Sequence, residues 1–105
     1  MEYAGGRLIA AQEGHIGWIT FNQPERLNAV RRDMWDDLPA AVASILSNQQ
    51  TRVIVVKGAG DKAFISGADI AEFDVQRHDA ASNRPFTSAV TAATASLIEA
   101  DVPVI

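Results

Sequence analysis

Apolar positions along the chain change period several times, and each change marks an element. "RLIAAQEG" and "HIGWITF" are two strand-like runs around Gly14. In the second run, Ile16, Trp18 and Thr20 alternate with Gly17, Ile19 and Phe21, so both faces are largely apolar. The spacing predicts a hairpin with its turn near Glu13-Gly14. Pro24 breaks the second strand, and "NQPERLNAV" reads as a loop. From about Arg31 to Asn48 the period becomes helical, with Met34, Leu38, Val42, Ile45 and Leu46 on one stripe. Asp33, Asp36 and Asp37 sit early in that helix, where its dipole favours anions. Pro39 predicts a kink or a late start. "RVIVVKG" is rich in β-branched residues and reads as a central strand. A helix then carries "IAEFD", and "QRHDAASN" reads as a polar surface loop. Pro85 opens a helix reaching about Ala100, with Phe86, Val90, Leu97 and Ile98 near one face. Val102-Pro103-Val104-Ile105 reads as the start of a buried strand, so a continuation beyond Ile105 is expected. The order ββαβα, with the beginning of a further strand, predicts an α/β fold with parallel crossovers.

Composition narrows the function classes. The chain has 105 residues, 48% hydrophobic and 21% charged, which fits one small globular domain. A net charge of −4 argues against a nucleic-acid interface, which needs a concentrated basic face. No segment approaches the roughly 20 apolar residues of a membrane span. The N-terminal stretch lacks the pattern of a signal peptide, and the expected location is cytoplasmic. With no cysteine, disulfides, thiolate nucleophiles and cysteine metal sites are excluded.

Two glycine-bearing loops invite a chemical reading. Gly58-x-Gly60-x-x-Ala63 after a strand has the look of a dinucleotide fingerprint. It fails in context. Another glycine, Gly67, interrupts the helix that Ala63 should open, no strand ends in the expected acid, and no Gly-Lys-Ser/Thr occurs. Gly58 and Gly60 read instead as a strand-end turn with positive φ. Gly67-Ala68-Asp69-Ile70 precedes a predicted helix start. The first amides of a helix have no internal acceptor and can hold an anion or a developing oxyanion. Ala68 leaves its own N–H unobstructed. Capped helix starts are common, and most do nothing chemical.

"TFNQPERLNAV" followed by "VIVVKGAGDKAFISGADIAEF" resembles the enoyl-CoA hydratase/isomerase (crotonase) superfamily. The likeness runs from about Ile16 to Ile105 and implies the N-terminal part of a crotonase-like α/β fold, a spiral core of ββα units. It implies an acyl-CoA thioester substrate whose carbonyl is polarised by two backbone N–H groups, with no cofactor beyond the coenzyme A of the substrate and no metal. The residue after the glycine of "SGADI", Ala68, matches the first donor. The second donor and the acid/base glutamates fall beyond Ile105, so residues 1–105 alone are expected to be inactive. A missing donor costs about 10²–10³ in rate. Arg26, Leu27 and Ala29 match the segment along the pantetheine and phosphate end of CoA. Ser66 matches the position that offers its backbone to the adenine. Asp69 and Ile70 border the acyl pocket, and Lys62 is a phosphate neighbour by charge. The family forms trimers or dimers of trimers.

The chain departs from the family pattern at Ile65, Ser66 and Ala71, and by Pro39 in the first helix. Plainer roles compete at several positions. Asp69 reads as a helix cap before a catalytic acid. Glu72 fits a solvated helix face as well as the pocket. His15 and His78 read as surface histidines. Trp18 and Trp35 read as core or interface residues, and the Asp33, Asp36, Asp37 cluster has poor spacing for a metal. Two functional hypotheses follow: a crotonase-type enzyme, seen here in its N-terminal part, or a non-catalytic CoA-binding or association module of the same fold.

Overall fold

Alternation at the N-terminal half builds a sheet, and the helical stripe that follows covers it. The computed structural model describes residues 1–67 and 80–105, with the side chains of 80–86 outside the description. Strand β1 (Glu2–Tyr3) pairs antiparallel with β2 (Leu8–Glu13), and β2 pairs antiparallel with β3 (Ile16–Phe21). Glu13 stands opposite Ile16, which leaves Gly14 and His15 as a two-residue turn. Gly14 has φ +58°, the sign that tight hairpin turns require. The hairpin was legible in the sequence, whereas β1 was not, because two residues carry no period.

Helix α1 (Arg32–Leu46) returns the chain so that β4 (Val53–Gly58) joins β3 in parallel. The sheet order is β1-β2-β3-β4. Met34, Leu38, Ala41, Val42 and Ile45 form the buried stripe of α1. They pack on Leu8, Ala10, Ile19, Phe21 and Ile54 of the sheet. Gly17 is where strand and helix come closest: a Cβ there would lie 2.2 Å from Ile45 Cγ2. Pro39 does not delay α1, which runs unbroken through it. The missing N–H simply leaves the Trp35 carbonyl without its helical donor.

Helix α2 (Ala80–Ile98) differs from the expectation at both ends. It begins before Pro85, taking in Ala80–Asn83, which read as loop. Alanine is the best helix former, and a proline in the second turn removes one bond without ending the helix. Its buried stripe is Ala89 and Ala93, with Leu97 on the core, while Ile98 is 76% exposed. Spacing of four residues selects that face, and small side chains let α2 approach α1 closely. The predicted "IAEFD" helix and residues 76–79 lie outside the described residues.

The C-terminal residues add a further partner to β4. Ile54 and Val104 form a parallel bridge, with Ile54 N–H to Pro103 O and Ile105 N–H to Ile54 O, each at 2.9 Å. β4 is therefore central, as its composition predicted. Val104 packs on the core, whereas Ile105 is 76% exposed, so the terminal run is covered on one side only.

Candidate functional site

The segment after β3 folds around one buried amide. Pro24–Arg26 form a short 3₁₀ turn. Leu27 (φ +54°) and Asn28 (φ +58°) then both take the left-handed conformation. Asparagine tolerates that region, whereas leucine pays for it in strain. Asn28 is fully buried. Its Oδ1 accepts from Gln23 N–H at 2.9 Å, and its Nδ2 donates to Ala59 O and Ala63 O, each at 2.9 Å. Both N–H groups and the oxygen of the carboxamide are thus used. Gln23, also buried, donates from Nε2 to Ala29 O at 2.7 Å.

The loop leaving β4 is drawn onto that amide. Ala59 N–H donates to Phe21 O at 2.8 Å, which ties the loop to β3. A Cβ on Gly58 would lie 2.1 Å from Phe64 O and 2.6 Å from Asn28 Nδ2. Gly58 is therefore a close-approach glycine and lies outside the positive-φ set, while Gly60 (φ +79°) has the positive φ expected of both. The two segments then run side by side. Ser66 N–H donates to Leu27 O at 3.2 Å, and Val30 N–H donates to Gly67 O at 2.8 Å. Gly67 has φ +131°, and among the described residues nothing beyond its chain neighbours stands within 4 Å of where its Cβ would be.

Beside this clamp lies an open cleft of about 300 Å³, walled by Pro24 and Glu25 from one segment and Gly60, Asp61 and Lys62 from the other. The structure thus brings Lys62 next to the turn that holds Arg26. Arg26, Leu27, Lys62 and Ser66 are exposed, and Leu27 shows 48% of its surface. Ala29 is buried, with 9% of its surface exposed. Ala68, Asp69 and Ile70 lie outside the described residues. Asn28 and Gln23 were missed as organising residues. The available signal was an asparagine in a glycine-free turn, a residue that accepts left-handed φ and can bond backbone on both sides.

The other polar clusters are structural. Asp33 lies 3.2 Å from Arg7, Asp36 pairs with Arg32 at 3.1 Å, and Asp37 accepts the Ala4 N–H at 2.8 Å. Among the described residues no group of His, Asp or Glu is arranged to hold a metal. His15 Nδ1 meets Gln50 O at the surface. Trp35 packs against the core, and Trp18 lies under Lys57, whose Nζ is 5.1 Å from the ring centroid. No described helix is long and apolar enough to cross a membrane.

Comparison with known proteins places this arrangement. A family model described as enoyl-CoA hydratase/isomerase matches residues 11–105. The chain is 32% identical over 65 residues to a short-chain-enoyl-CoA hydratase of Clostridium acetobutylicum, covering 62% of this chain and 25% of that protein. It is 34% identical over 67 residues to the mitochondrial 3-hydroxyisobutyryl-CoA hydrolase of Danio rerio, covering 64% of this chain and 18% of that one. The crystal structure of an enoyl-CoA hydratase/carnithine racemase from Magnetospirillum magneticum superposes with a TM-score of 0.89 at 32% identity. That alignment covers 97% of this chain and 38% of the solved one. The chain therefore has the N-terminal part of the crotonase-like α/β fold, and it spans well under half the length of these relatives.

Proposed function

The chain belongs to the enoyl-CoA hydratase/isomerase family, and from that premise we propose that the protein carrying it binds an acyl-CoA thioester and stabilises a thioester enolate through backbone N–H groups, one of them that of Ala68. The observation that carries this is the pair of bonds between Leu27–Val30 and Ser66–Gly67. It sets the two family motifs edge to edge and fixes the residue immediately before the proposed donor.

The chemistry needs donors placed where negative charge develops, in a site that does not reorganise. Gly67 lets the chain bend there, and a carbonyl held by Val30 orients the peptide plane that continues into Ala68. Arg26, Leu27, Lys62 and Ser66 supply an exposed rim for coenzyme A, with Lys62 attracting phosphate across the cleft. Asp69 and Ile70 border the acyl group. The second N–H donor and the acid/base glutamates belong to chain beyond Ile105. Hydration or double-bond isomerisation of an enoyl-CoA is the proposed reaction, in a cytoplasmic trimer or dimer of trimers that needs no separate cofactor.

The test is turnover of a short enoyl-CoA by the full-length gene product and by its Ala68→Pro variant, which lacks one donor. Loss of about 10²–10³ in kcat is expected. A folded variant with wild-type turnover excludes Ala68 as a donor.

A further inference from the structure

We infer that Asn28 is a positioning residue for the proposed oxyanion donor, acting through the Gly67 carbonyl; this rests on the assignment of Ala68 above. Three observations carry it. Among the described residues no atom beyond its chain neighbours lies within 4 Å of a Cβ placed on Gly67. Its carbonyl accepts the Val30 N–H at 2.8 Å. Val30 and Leu27, which grips Ser66, flank a turn whose buried centre is Asn28. The Asn28 carboxamide holds both sides of the clamp: Oδ1 takes the Gln23 N–H of its own segment, and Nδ2 takes Ala59 O and Ala63 O of the other. Ala59 is in turn bonded to Phe21 in β3. A continuous path of backbone and carboxamide bonds runs from the sheet core to Gly67. The amide that follows Gly67 shares the plane of that anchored carbonyl. Losing the carboxamide donors lets the 63–67 segment shift, and a displacement near 1 Å can cost about 10² in rate.

Asn28→Asp keeps the size and the tolerance for positive φ but replaces both N–H donors with an acceptor. Asn28→Gly keeps the left-handed backbone and removes the side chain. In the full-length protein each is expected to lower kcat for an enoyl-CoA by about ten- to a hundredfold, with KM held within about threefold. The infrared carbonyl band of a bound, unreactive ¹³C-labelled acyl-CoA should shift toward its position in Ala68→Pro. If the Asp variant does not fold, the Gly variant decides by the same readouts. Wild-type kcat in a folded variant overturns the inference, and so does a fall in kcat with an unmoved carbonyl band. Should Ala68→Pro itself retain turnover and band, the donor assignment fails first, and the two failures are told apart.

Discussion

Gly17 of β3 faces Ile45 of α1 so closely that a methyl group on Gly17 would lie 2.2 Å from Ile45 Cγ2. Sheet and helix touch there with no side chain on the strand. Ile45 is buried, and its β-branched side chain has little rotameric freedom to retreat.

Gly17→Ala is therefore expected to destabilise the fold by about 1–3 kcal/mol, through overpacking. Ile45→Ala removes the clashing methyl and leaves a cavity of its own. The double variant should lose less than the two single losses combined, because each relieves the other's defect. Urea unfolding of the four proteins measures the coupling; simple additivity would contradict the contact.

Gly58→Ala should be worse than Gly60→Ala. At Gly58 the new methyl meets backbone, with Phe64 O at 2.1 Å and Ala63 O at 2.6 Å. At Gly60 the nearest atom is Pro24 Cβ at 3.4 Å, and the cost is that of φ +79°. About 1–2 kcal/mol is expected at Gly60, from strain alone. At Gly58 the loop must move off Asn28, so turnover should fall together with the melting temperature. Equal effects at the two positions would contradict the close-approach role.

Lys62→Ala tests the rim of the cleft. Lys62 is exposed, and its proposed contact with phosphate is electrostatic. KM for acyl-CoA should rise several-fold at low salt while kcat stays within about twofold, the pattern of lost uniform binding. Raising ionic strength toward 1 M, where screening acts over about 3 Å, should erase the difference. A salt-independent KM would remove Lys62 from coenzyme A binding.

Much of this architecture was legible because burial imposes a period. The α1 stripe and the β-branched run of β4 leave one workable pairing each. Legibility ended where backbone bonds rather than apolar faces decide. Leu97 and Ile98 are equally apolar neighbours, and only packing against α1 turns one inward. "QRHDAASN" read as loop from its polarity, yet its alanines join α2. At the site, the motifs pointed to the Ser66–Gly67 segment, but nothing in the pattern said that Asn28 would tie it to β3. That tie is made by one side-chain carboxamide on the backbone carbonyls of Ala59 and Ala63, at the second of two consecutive left-handed residues.

Ile54 stands opposite Gly17 on one side and Val104 on the other. The chain between β4 and Val104 thus leaves the sheet and rejoins it at the same level, like a detour with both junctions on one street. That detour includes α2, which packs back on the core through Ala93 and Leu97. The register at that level is held from both flanks of one residue, so β4 is locked in place by chain that comes before it and chain that comes long after it.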